Sequence, residues 1–214
     1  AMVYASKMLI LRVSMASELM LLAHRLNRLT ERHRWSRDFT LNSLRVALRE
    51  ILANFPVYRT YISADEVPDR DRQFVHRAVA QAKRHNPAMD AGVFDFVRDV
   101  LFLKRPPDLD ESGIRERALF IGRFQQVTSP VMAKGVEDTT FYRYYPLTSL
   151  NEVGGEPARG VVTVEEFHRE NADRQQSRPR SLLASTTHDT KRSEDVRARI
   201  NVLSEIPRLW REAV

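Results

Sequence analysis

Through the first 130 or so positions, apolar residues recur at three- and four-residue steps, which is the spacing of helices that bury one face. Between residues 7 and 34, Leu9, Val13, Ala16, Met20, Ala23 and Leu26 share one stripe, widened by Leu19, Leu22 and Leu29. One long buried helix is expected there. His24, Arg25 and Arg28 fall along one edge of it, and His24 reads as a surface or packing histidine. Trp35-Ser36-Arg37 breaks the pattern. Asp38 is placed to cap a second helix over 39–55, whose apolar face is Leu41, Leu44, Val46, Ala47, Leu48, Ile51 and Leu52 and which Pro56 ends. Residues 57–62 are β-branched and aromatic and read as extended, and Ser63 to Asp69 reads as a loop. A third helix is expected over 70–85 and a fourth over 91–103, behind Asn86-Pro87 and Asp90, with Phe94, Phe96 and Phe102 as core. Pro106-Pro107-Asp108 is a rigid break before a fifth helix over 111–126 that carries Phe120 and Phe124. These patterns describe a helical bundle.

The pattern changes further on. Long irregular loops appear, with an extended candidate at 141–145 and an acidic-headed helix over 164–176. Ser181-Leu-Leu-Ala-Ser-Thr-Thr187 has the content of a short buried strand. Ser193 suits the N-cap of the periodic run 196–203, and the last helix is expected to run past Pro207. A strand, a charged loop and a helix form a βα unit, and in α/β barrels chemistry sits in the loops after the strands. The expected fold class is mainly α. A helical-bundle subdomain fills 3–128, and an incomplete piece of an α/β structure fills 129–214.

Composition narrows the function classes. A chain of 214 residues with 43% hydrophobic and 29% charged positions is an ordinary globular sequence. Its 7 glycines are few, which agrees with helices. Cysteine is absent, so disulfides and thiolate metal sites are excluded and a reducing cytoplasm is expected. No apolar run approaches a membrane span, and no signal-peptide pattern opens the chain. The net charge of +6 raises nucleic acid as a partner, but the arginines are dispersed among 28 acidic residues, and no zinc-finger spacing or RNP-type pattern is present.

Two stretches concentrate chemistry. Within Leu182 to Asp195, read LLASTTHDTKRSED, the ionisable groups His188, Asp189, Lys191, Arg192, Glu194 and Asp195 follow the expected strand. Taken alone this is either a solvated surface loop or a site. The second stretch, PVMAKGVEDTTFYRYYPLTSLNEVGGEP over 130–157, gathers Lys134, Glu137, Asp138, Tyr142, Arg143, Tyr144, Tyr145, Asn151 and Glu152. Gly135, Gly154 and Gly155 mark tight backbone there. P-loop, HExxH and EF-hand patterns are absent. Aromatic rings beside amide and carboxylate groups suit a sugar, whose apolar face stacks while its hydroxyls are bonded. A polar-edged packing loop is the other reading.

Together the two stretches closely resemble the maltooligosyl trehalose synthase family of the α-amylase superfamily. The segments MASELMLLAHRLNRLTERHRWSRDFTLNSLRVALREILANFPVYRTYI and NPAMDAGVFDFVRDVLFLK resemble the helical insertion of the same family, so the likeness runs in order along nearly the whole chain. It implies that the second half belongs to the last βα units of a (β/α)8 barrel. It implies a parent enzyme that converts the reducing-end α-1,4 bond of a maltooligosaccharide into the α,α-1,1 bond of trehalose, by intramolecular transglucosylation through a glucosyl-enzyme intermediate. In that reading the catalytic residue on this chain is Asp189, the transition-state stabiliser. His188 binds a sugar hydroxyl, Lys191 of the HDTK motif reaches the acceptor glucose, and Lys134 with Tyr142, Arg143, Tyr144, Asn151 and Glu152 complete the substrate contacts. No metal and no cofactor is implied. The strand motif RxDH, which carries the nucleophile, and the acid Glu of the next strand are not found. The chain is therefore expected to be a C-terminal portion of a catalytic domain, inactive alone and partnered by the remainder of that domain. A non-catalytic carbohydrate-binding or assembly module is the competing expectation, and a helical nucleic-acid binder is a third.

Overall fold

The structure is a computed structural model that describes every residue except 33–35, 64–65, 105, 107–108 and 161. Trp35 of the first break, part of the 63–69 loop, and Pro107 and Asp108 of the second break lie outside the described residues. The chain is mainly helical, and no strand occurs among the described residues. It forms two compact units, Ala1–Thr140 and Phe141–Val214.

The first unit packs α1 (Met2–Arg12), α2 (Ala16–Glu31), α3 (Leu41–Ala53), α4 (Asp69–His85), α5 (Ala91–Leu101) and α6 (Glu111–Met132) around one core. Leu22, Leu26, Leu44, Leu48, Ile51, Phe94, Phe120 and Phe124 are wholly buried in it, and Phe55 meets Phe124 edge-on at 5.5 Å. Side-chain oxygens of Thr40, Asp90 and Asp110 accept from the first free N–H groups of α3, α5 and α6. The α3 cap is thus Thr40, two residues beyond the expected Asp38.

Three sequence expectations change here. The stripe over 7–34 is not one helix. It breaks at Val13–Met15, where the Ile10 carbonyl accepts from both Ser14 and Met15 at 3.0 and 2.9 Å. Leu11 before the break and Met15 at its end are both buried, so the apolar pattern passes straight through the turn. Residues 57–62, expected to be extended, form no ladder, and Val57 and Tyr58 lie in a bend. Side chains of α6 and α4 take the ladder's place. Gln125 accepts from Ile62 N–H at 2.6 Å and donates to its carbonyl at 3.0 Å, and Asp71 accepts from Tyr61 N–H at 2.6 Å. The fifth helix does not stop near 126 either. It continues over Pro130 to Met132 and then widens into a π-helix, Ala133–Thr140.

The π-helix carries the AKGVEDT motif and packs against α1. Its wider turns are closed by hydroxyls, with Thr139 and Thr140 each donating 2.8 Å to the carbonyl five residues earlier, at Lys134 and Gly135. Gly135 sets how near α1 can lie. A β-carbon there would fall 2.6 Å from Lys7 Cγ and 3.0 Å from Lys7 Cα. Gly135→Ala must therefore push backbone from backbone, and a loss of about 2 kcal/mol in urea unfolding is expected. Unchanged stability would mean that α1 shifts freely.

The second unit has short elements. It contains 3-10 turns at Thr148–Leu150 and Pro157–Arg159, α7 (Val164–Ser177), α8 (Glu194–Asn201), a 3-10 turn at Val202–Ser204 and α9 (Pro207–Ala213). A capping box starts α7, where Thr163 accepts from Glu166 N–H and the Glu166 carboxylate accepts from Thr163 N–H. The expected extended piece at 141–145 opens as a turn over 141–143 and is irregular at 144–145. The expected strand at 181–187 is not formed, and Leu182 and Leu183 are 99% and 77% exposed. A strand needs a neighbouring strand to bond its backbone, and the described residues supply none. The last helix does not run through Pro207. Instead Pro207 opens α9 at the first-turn position, where its missing N–H is harmless. Among the described residues of this unit, Phe141 is the one buried large hydrophobic side chain, while Phe167, Leu209 and Trp210 stand half exposed or more.

Candidate functional site

The site residues of the second unit lie on two loops, 141–155 and 186–192. The second loop is built by threonines. Thr190 N–H donates to the Thr187 carbonyl at 3.2 Å, the Thr190 hydroxyl donates to the same carbonyl at 2.8 Å, and Thr187 N–H returns a bond to that hydroxyl at 3.3 Å. The two threonines close a tight turn with His188 and Asp189 at its two central positions. Both side chains face solvent, 99% and 78% exposed, with His188 Nδ1 standing 3.2 Å from Asp189 Oδ1. Thr186 accepts from Glu194 N–H at 3.1 Å, which ties the turn to the start of α8. Ser193 holds the N-cap position as expected, without a side-chain bond.

Beside this turn the first loop brings Tyr142 and Lys191 together, the Lys191 ammonium lying 6.0 Å from the centre of the Tyr142 ring. Tyr142 is 56% exposed, Arg143 is exposed and Tyr144 is half-buried. Asn151 is different. It is 1% exposed, and its amide donates to the carbonyls of Phe141 and Tyr144 at 3.0 and 2.6 Å. Asn151 therefore holds the shape of the tyrosine loop from inside. Glu152 is also turned inward. One carboxylate oxygen accepts from Lys191 N–H at 2.8 Å and Val153 N–H at 3.0 Å, and the other lies 3.4 Å from Arg197. Partial burial pushes this carboxyl up, but the backbone N–H groups of Val153, Lys191 and Arg192 and the Arg197 charge together hold it below the usual carboxylate range.

Lys134 belongs to the other unit, on the π-helix, where it is 59% exposed and 3.1 Å from Asp138. It lines a groove of about 630 Å³ between α2 and α6, along with Glu18, Leu21, Arg123, Gln126 and Pro130. Among the described residues no cluster of His, Asp or Glu could hold a metal ion, and no helix is long and apolar enough to cross a membrane.

The structure thus joins His188 to Asp189, Lys191 to Tyr142, and Glu152 to the backbone of Lys191. The exposed members offer what a sugar needs, namely a carboxylate and an imidazole for hydroxyls, an ammonium, and an aromatic face. Sequence reasoning missed the roles of Thr186, Thr187 and Thr190, because threonines ahead of an apolar-to-polar change read as strand formers. The spacing Thr-His-Asp-Thr, a turn bracketed by hydroxyls, was the available signal.

Comparison with known proteins follows this geometry. No protein-family model matches the chain. Over 88 residues, 41% of the chain, it is 58% identical to a Mycobacterium tuberculosis protein assigned to the maltooligosyl trehalose synthases. The solved maltooligosyltrehalose synthase of Arthrobacter ramosus matches 99% of the chain at 36% identity with a TM-score of 0.78. A hypothetical maltooligosyl trehalose synthase from Sulfolobus tokodaii matches 99% at 26% identity with a TM-score of 0.68. The chain spans 12% of the curated relative and 24% of the Arthrobacter structure.

Proposed function

We propose that this chain, homologous along its length to part of the maltooligosyl trehalose synthases, is the portion of such an enzyme that binds the reacting glucan and supplies the transition-state stabiliser. The observation that carries the reading is the match of 99% of the chain, at 36% identity, to a solved synthase. The solvent-facing Thr187–Thr190 turn supports it from the chemistry. It presents Asp189 and His188 side by side on a backbone closed by the Thr190 hydroxyl.

The parent reaction is an intramolecular transglucosylation that moves a reducing-end α-1,4 bond to the α,α-1,1 position. Asp189 stabilises the positive charge that develops at the reacting sugar and binds its hydroxyls. His188 bonds a neighbouring hydroxyl. Lys191, steadied over Tyr142, reaches the acceptor glucose. Lys134, Arg143 and Tyr144 contact the glucan further along. The nucleophile and the general acid come from the remainder of the catalytic domain, which is also the chain's main partner. In that assembly residues 3–128 are a helical insertion and 129–214 belong to the last βα units of a (β/α)8 barrel. The exposed Leu182 and Leu183 then sit against neighbouring strands.

Retaining chemistry needs two carboxyl groups on either side of the bond, one as nucleophile and one as acid. The chain alone is therefore expected to turn over no maltohexaose. The measurement is the loss of reducing ends over hours, against a blank. Turnover above blank places the whole catalytic set on these 214 residues and overturns the division of labour.

A further inference from the structure

Glu152 sits where two loops meet, and its carboxylate is already fully engaged. Val153, Lys191 and Arg192 N–H groups and the Arg197 guanidinium surround it, and its side chain is 17% exposed. The backbone around it is equally constrained. Gly155 N–H donates 2.7 Å to the Glu152 carbonyl, and a β-carbon on Gly155 would come within 2.8 Å of that oxygen and of the Leu150 carbonyl. Two further ties hold the first loop, Ser149 donating to Asn201 at the end of α8 at 2.6 Å and the Arg192 guanidinium of the second loop donating to the Thr148 carbonyl at 3.3 Å. A carboxylate that accepts from backbone N–H groups next to the HDTK turn is held inward by the protein rather than presented to a sugar.

We infer that Glu152 is a positioning residue, a latch whose carboxylate gathers the Lys191 and Arg192 amides and the Arg197 side chain and so sets where His188, Asp189 and Lys191 stand. This assignment replaces a direct sugar contact for Glu152 and rests on reading the 187–192 turn as a glucan site. The latch acts through the backbone. A conservative change keeps part of it, because a glutamine oxygen still accepts an N–H while losing the pairing with Arg197.

The test is amide hydrogen exchange, resolved residue by residue, on the 214-residue chain without any sugar. Glu152→Ala is expected to speed exchange about tenfold at Lys191 and Arg192. Phe167, whose N–H is bonded to Thr163 in α7, is expected to keep its wild-type rate. Wild-type rates at both Lys191 and Arg192 in the alanine variant overturn the latch. If that variant loses its helical circular dichroism, Glu152→Gln decides. A rise of a few-fold at the same two amides supports the latch, and no rise overturns it. Because no ligand is present, the result stands apart from the glucan reading. Titration of the wild-type chain with maltohexaose tests that reading separately, and absence of binding there leaves the exchange result intact.

Discussion

Asp189→Asn, made in an enzyme that carries this segment with the rest of its catalytic domain, is expected to lower kcat about a thousandfold and to leave KM for maltohexaose within a few-fold. The asymmetry follows from when the charge matters. The sugar is neutral in the ground state and gains positive charge as the glycosidic bond breaks. Asparagine keeps the size of the side chain and a hydroxyl-binding oxygen, but it loses the negative charge that opposes the one developing on the sugar. The fold has little reason to change. Asp189 is 78% exposed, its bonded neighbour is the still more exposed His188, and the turn it rides on is closed by Thr187 and Thr190. Thermal unfolding of the isolated variant chain should match wild type within a degree or two. A near-normal kcat with intact folding would remove Asp189 from the mechanism, whereas a proportional rise in KM would make it a binding residue alone.

The same turn shows what could be read from the residues and what could not. The density of ionisable groups at 188–195 marked the place, and the family likeness named Asp189 and Lys191. Which polar groups face outward could not be read, because that depends on backbone donors supplied from another loop. Asn151 and Glu152 sit in the motif beside Tyr142 and Arg143 and carry sugar-binding chemistry just as well. They turn inward because loose carbonyls at Phe141 and Tyr144 and loose N–H groups at Val153, Lys191 and Arg192 need partners.

Helices were legible where one face is buried and the ends carry a cap, as at Asp90 and Asp110. They were misread where tertiary packing overrides a local signal. The fifth helix was expected to end near 126, yet α6 continues over Pro130 to Met132, since Val131 is buried and the π-helix that follows packs on α1. The reverse holds at 181–187. The β-branched and apolar content is present there, but a strand is defined by its neighbours, and the described residues hold none.

The packing of α1 on the π-helix leads to the second large expected effect. Lys7 is 3% exposed in that contact, and its ammonium donates 2.7 Å to the Phe55 carbonyl. Burial lowers its pKa from 10.5 to about 8, with no carboxylate among the causes to offset it. Below pH 8 both folded and unfolded chains hold the proton, and the folded state bears the full cost of a desolvated charge. Between pH 8 and 10.5 folded Lys7 releases its proton while the unfolded chain keeps it, so stability rises with pH across that window. The gain is about 3 kcal/mol in all, taking 1.36 kcal/mol per pKa unit. Other groups titrate there too, so the comparison is with Lys7→Met, which keeps them and lacks the buried amine. Urea unfolding of both chains at intervals from pH 7 to 10 should show wild type gaining on the methionine variant by most of that amount. A constant difference across the range would mean that Lys7 keeps its charge in the folded chain at an ordinary pKa, with water or a carboxylate reaching it between α1 and the π-helix.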